Sequence, residues 1–252
     1  MSLPTGGRTR MAKSARDNGF DLDLPSQGGW MGFASSHVPL RVWLLPYGEQ
    51  FVVALSQANV WRALAEYDAP LVNQLPDGAT AARAATGFAA LHQLLRRAWL
   101  LSRTLPDELW KVFEQKTAGL PRTTEAERLV VQRVGQDVFR GGLLDYWDRR
   151  CAITGLAVPE LLRASHIKPW AACELDAERL DVFNGLLLAA HLDAAFDAGF
   201  VTVDDDGVVV VAGALDAEAR VLLGLDGPVR VRGLAEGHRR YLGWHRGRVF
   251  RG

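Results

Sequence analysis

Between Leu161 and Ala198 the chain sets out a loop and strand carrying a histidine, a turn running into a leucine triplet, and a short helix with carboxylates one turn apart. Ser165-His166-Ile167-Lys168-Pro169-Trp170 supplies the first part. Asn184-Gly185 is a turn signal followed by the apolar strand Leu186-Leu187-Leu188. Ala189 to Ala198 reads as a helix, with Asp193 and Asp197 on one face. Upstream, Cys151 to Gly155 reads as a short strand entering a turn. Downstream, Val201-Thr202-Val203 and Val208 to Val211 flank Asp204-Asp205-Asp206-Gly207, a hairpin pattern that also accounts for the aspartate run. The order strand, loop, strand, helix confines the second half to a small α+β module.

The first half follows a different pattern. From Gly28 to Ser56, three apolar segments separated by turn formers predict an antiparallel meander, and Gln57 to Tyr67 a helix. Ala79 to Arg103 reads as one longer helix, with Phe88, Leu91, Leu95 and Trp99 recurring at three- and four-residue steps and Gly87 as a weak point. Thr124 followed by Glu127 predicts a capping box opening a helix to about Trp147, which Gly141-Gly142 would kink or divide. The expected organisation is α+β throughout: a flexible arm over 1–17, a sheet-plus-helices module over 18–105, a linker over 106–123, and a second domain over 124–252 with a basic tail.

Composition narrows the functional classes. Lys and Arg number 29 against 29 Asp and Glu, so a nucleic-acid-binding role must rest on a local patch and not on overall charge. Two cysteines, Cys151 and Cys173, are too few for a four-cysteine zinc site or a disulfide framework, and both are expected to pack as small buried residues. No apolar run reaches membrane-spanning length, and the basic N-terminus lacks the apolar core of a secretory signal, so a cytoplasmic setting is expected, with no membrane partner.

A histidine on the first strand of a pair, with a metal ligand on the first turns of the following helix, is a workable phosphodiesterase site. The histidine takes a proton from water, and the metal stabilises charge on the phosphate and the leaving oxygen. In these motifs the sequence resembles the HNH endonuclease family, whose core is the ββα-metal fold. The matching segments are Gly135-Gln136, Phe139-Arg140, Arg150-Cys151-Ala152-Ile153-Thr154-Gly155, Ala164 to Trp170, Arg179-Leu180-Asp181, Asn184 to Leu188 and Leu192 to Asp197. The likeness runs from about Gln132 to Gly207. It is nearest the restriction-endonuclease-like branch with SHIKPW and NGLLL motifs, which Tyr241 to Arg246 also suits.

The resemblance implies a C-terminal ββα-metal nuclease domain that hydrolyses DNA, with duplex DNA as the expected substrate. His166 takes the place of the general base and Asn184 that of the asparagine tethering the loop that orients it. The third signature position is Asp193 in place of histidine, a hard ligand suited to Mg²⁺ or Mn²⁺. His191 competes with Asp193, two residues away, and Asp193 is preferred; Asp197 is a further candidate ligand. Many relatives carry an aspartate where this chain has Ser165. Paired Cys-x-x-Cys motifs are absent, so no structural zinc is expected. Lys168, Arg149 and Arg150, with Arg239, Arg240 and Arg246 of the basic tail, are the candidate DNA contacts. By analogy the N-terminal module would recognise DNA. A homodimer and a DNA-binding protein with a degenerate, non-catalytic nuclease fold both stay open.

Overall fold

Alternating apolar residues in the first half form a sheet larger than the expected meander. The computed structural model describes residues 5–70, 72–121 and 123–252 and separates into two compact units, one ending at Leu105 and one beginning at Pro106. In the first unit, strands β1 (Leu22–Gln27), β2 (Trp30–Ala34), β3 (Arg41–Tyr47), β4 (Gln50–Leu55) and β5 (Ala81–Thr86) make one antiparallel sheet in sequential order. Helices α1 (Thr5–Asp17), α2 (Ala58–Ala63) and α3 (Gly87–Thr104) complete it.

Two expectations change here. Residues 5–17, read as an arm, form α1 because Met11 and Ala15, one turn apart, are fully buried. Ala81–Thr86, read as the start of a helix, pairs with β4 along its whole length. Gly87, at φ +82°, turns the chain from β5 into α3, so the weak point of the expected helix is its true beginning. Alanine's helix propensity is overridden by tertiary pairing, secured by the buried Arg83, which donates to the carbonyls of Trp61 (3.0 Å) and Tyr67 (3.0 Å).

The second unit begins with the supposed linker. Residues 106–117 form helix α4, and its Leu109 and Phe113 are buried. It packs on α5 (Glu125–Tyr146), which opens with the expected Thr124–Glu127 capping box and runs unbroken through Gly141-Gly142. Gly142 admits the Leu109 side chain, where a Cβ would stand 2.5 Å from Leu109 Cδ1. Cys151 to Gly155 is a turn and not a strand. The buried Cys151 Sγ accepts the backbone N–H groups of Thr154 (3.4 Å) and Ala189 (3.3 Å), tying this turn to the chain that follows the leucine triplet.

Strands β6 (Leu162–His166) and β7 (Gly185–Ala189) then pair antiparallel, with His166 opposite Gly185 and Ser165 opposite Leu186. Helix α6 (Asp176–Arg179) lies in the loop between them, and α7 (Ala190–Asp197) follows β7 directly. The hairpin of β8 (Val201–Val203) and β9 (Val209–Val211), helix α8 (Ala217–Leu222) and helix α9 (Glu236–Arg248) complete the unit. Among the described residues no helix is long and apolar enough to cross a membrane.

Gly185 sets how closely α5 approaches the strand pair, since a Cβ there would lie 2.6 Å from Phe139 Cζ and 2.7 Å from Leu143 Cδ1. Gly185→Ala is therefore expected to destabilise the protein by about 1–3 kcal/mol through overpacking, read as a lower urea midpoint at unchanged m-value.

Candidate active site and metal centre

Side chains alternate along β6, so Ser165 and His166 leave opposite faces of the strand pair. Ser165 faces α7, where its hydroxyl donates to Asp197 Oδ1 at 3.4 Å and acts to lower the pKa of the neighbouring Asp193. His166 faces α5, stacked on Phe139 with ring centroids 3.8 Å apart and meeting Trp170 edge-on at 5.6 Å. The five consecutive residues Arg163 to Ile167 nevertheless line one cleft of about 470 Å³, together with Asp193, Asp197 and His245. A cleft that touches both faces of a strand must run along its edge. The edge in question is the one opposite β7, open to a ligand.

His166 Nε2 lies 2.9 Å from the carbonyl oxygen of Arg179. A carbonyl can only accept, so in the neutral ring Nε2 carries the hydrogen and Nδ1 keeps the lone pair. Burial lowers the pKa to about 4, against a smaller opposing effect of the Arg179 hydrogen bond, and the ring is neutral at pH 7. The unfolded chain takes up this proton near pH 6.5, so the stability contribution is complete above that pH. It is lost as pH falls from 6.5 towards 4, a change of about 3 kcal/mol. The difference in melting temperature between the wild type and His166→Gln should shift against the wild type across this window; a constant difference would contradict the buried, neutral ring.

Asn184 is fully buried behind the strand pair. Its Oδ1 accepts the Lys168 N–H (2.8 Å), and Nδ2 donates to the carbonyls of Lys168 (3.1 Å) and Glu178 (3.1 Å). One amide thus fixes the segment that follows His166 to the helix preceding β7. The carbonyl of Asn184 also accepts the Ile167 N–H at 3.0 Å.

Asp193 and Asp197 stand one turn apart on α7. Burial raises both pKa values, and for Asp197 the charge of Asp193 raises it further; Ser165 and, at Asp193, the charge of Arg163 act against this. Two hard carboxylates that repel one another suit a divalent cation. Among the described residues no group of three His, Cys, Asp or Glu side chains gathers as a metal site. Magnesium is commonly held by one or two carboxylates, with water and phosphate oxygens completing the shell, and the Asp193–Asp197 pair matches that demand.

Other candidates are placed elsewhere. His191 is exposed and does not line the cleft, because two residues along a helix is a different face. Lys168 Nζ is 3.0 Å from Glu178, within an ion pair. Arg149 and Arg150 are exposed in the tight turn after α5, where Asp148 and Arg149 have positive φ (47° and 56°). The basic tail is a packed helix, with His238, Tyr241, Leu242 and His245 buried along one stripe of α9. Three of its arginines pair within the domain: Arg239 with Glu236 (2.8 Å), Arg240 with Asp181 (2.5 Å), and Arg246 with Asp205 (2.6 Å).

Residues 151–204 match the HNH endonuclease family. The C-terminal half carries an HNH domain. Among curated proteins none matches the chain. The matched span contains the Cys151 turn, β6, β7, α7 and β8, while α4, α5 and α9 lie outside it.

In the sequence His245 is only part of the family-like Tyr241 to Arg246 stretch; in the structure it lines the cleft of the HNH domain from α9. It stacks on Phe196 with centroids 3.9 Å apart, and its Nε2 donates to the Phe196 carbonyl at 3.1 Å. Its Nδ1 then accepts from the Thr202 hydroxyl at 3.0 Å. The ring thereby braces the last turn of α7 next to Asp197. The buried spacing 238, 241, 242, 245 is a helical core stripe and was the available signal.

Proposed function

We propose that the protein is a metal-dependent endonuclease that hydrolyses phosphodiester bonds of duplex DNA. The observation that carries this reading is one cleft holding both a neutral histidine with a fixed tautomer and a pair of mutually repelling carboxylates. Asp193 and Asp197 would hold Mg²⁺ or Mn²⁺, which when bound supplies Lewis-acid stabilisation of charge on the phosphate. His166 accepts the proton of the attacking water at Nδ1, the basic atom left by the Arg179 hydrogen bond. Asn184 positions that imidazole by pinning the loop behind it.

The first unit is proposed as a DNA-recognition module, of restriction type. Support comes from a second cleft of about 500 Å³ where Trp30, Leu45 and Tyr47 meet Gln27, Asn73 and Gln74, combining stacking surface with amides. The degenerate-fold reading is favoured by one observation, the lack of a third acidic or histidine ligand among the described residues.

Supercoiled plasmid incubated with the full chain and Mg²⁺, Mn²⁺ or EDTA separates the two readings. Nicked and linear DNA with metal, and neither with EDTA, is the expected result. Retarded but intact plasmid with every metal, whether unmodified or base-modified, would overturn catalysis in favour of binding alone.

A further inference from the structure

The basic residues nearest the cleft are almost all committed to protein partners. Lys168 pairs with Glu178, and Arg179 with Asp176. Arg140 donates to the carbonyls of Leu162 (2.9 Å) and Pro159 (3.0 Å), and Arg246 spans Val203 O and Asp205. Arg163 differs from all of these. It is exposed, lines the cleft, and forms no ion pair among the described residues. Only Nη1 is engaged, in long contacts with the carbonyls of Glu160 (3.3 Å) and Leu162 (3.2 Å).

That leaves Nε and Nη2 without a protein partner among the described residues. These two donors form the edge of the guanidinium that grips an oxyanion through two parallel hydrogen bonds. Strand alternation puts Arg163 on the same face as Ser165, two residues on, and hence on the side of Asp193 and Asp197. Its charge is also felt at Asp193. A guanidinium that acts electrostatically on Asp193, yet forms no ion pair among the described residues, is placed for a phosphate oxygen entering the same cleft.

We infer that Arg163 is a substrate-contacting residue that binds a non-bridging oxygen of the phosphodiester being cleaved, an inference that rests on the endonuclease reading above. Charge accumulates on that oxygen as water attacks, so the contact strengthens towards the transition state and acts mainly on kcat.

The test uses the full chain carrying Arg163→Ala or Arg163→Lys, with supercoiled plasmid cleavage at saturating Mg²⁺. Alanine is expected to lower kcat about 100-fold with KM little changed, and lysine to recover part of the loss because it keeps the charge without the fork. Binding of a 20-base-pair duplex in EDTA, followed over a salt series, should show a log–log slope reduced by about one in the alanine variant. Mn²⁺ affinity without DNA should not fall, since removing a neighbouring positive charge leaves the carboxylate pair intact.

Wild-type kcat in Arg163→Ala would overturn the assignment, as would a rise confined to KM, which marks a flanking phosphate. If the wild type itself cuts no DNA, the endonuclease reading fails separately. The salt slope then decides whether Arg163 touches phosphate at all, and an unchanged slope refutes it.

Discussion

Replacing His166 with alanine is expected to reduce plasmid cleavage about 10³-fold, the loss that follows removal of a positioned general base. The ring also fills space between Phe139 and Trp170, so lost activity alone would not distinguish chemistry from packing. Two further readouts do. Added imidazole should restore part of the activity of His166→Ala, because the vacated space lies beside the cleft and a free imidazole can accept the same proton. The variant should also keep wild-type affinity for Mn²⁺, since the carboxylates sit on the opposite face of β6. No rescue together with weakened Mn²⁺ binding would show that His166 acts by holding the strand pair together.

Asp193→Asn is expected to cost a comparable factor, about 10³-fold at low Mg²⁺, equivalent to about 4 kcal/mol of charge stabilisation. The amide is nearly isosteric, but it neutralises one of the repelling pair. With that repulsion gone, the Asp197 carboxyl moves down towards its ordinary range. The sign for stability follows. A carboxyl raised in the folded protein is stabilising when protonated at low pH, and that contribution is lost as pH rises through the raised value. At pH 7 the wild type therefore carries the repulsion in full. Asp193→Asn should consequently melt higher than the wild type at pH 7 without metal, while losing the stabilisation that Mn²⁺ gives the wild type. An unchanged metal-induced rise in melting temperature would remove Asp193 from the ligand set.

The elements around the cleft are legible in the sequence because local and tertiary preferences agree there. The Leu186 to Leu188 run is a buried strand, and Asp193 and Asp197 share a helical face; the expected Asn184-Gly185 turn is instead the end of a short 3-10 helix with Gly185 already in β7. Elsewhere the preferences conflict, and the tertiary one prevails. Ala81–Thr86 has the composition of a helix but fills the edge of a sheet whose other strands require a partner. Residues 5–17 are too polar to suggest a packed helix, yet two buried side chains suffice to hold one. The cations were least legible. Arginine and lysine look alike in a sequence whether they face solvent or a carboxylate, and only the structure reveals that Lys168, Arg240 and Arg246 are paired while Arg163 is not.

The bracing of the cleft from beyond residue 204 bears on how the HNH domain can be transplanted. A fragment cut at 151 and 204 would lack Phe139, the floor under His166, and His245, the clasp on α7. It would also strand Asp181, whose buried carboxylate accepts from Tyr241 (2.9 Å) and Arg240. The portable cartridge is the stretch from Pro106 to Gly252, with its seam at Leu105. Fusions joined at that seam carry the cleft together with the two helices that keep it in shape.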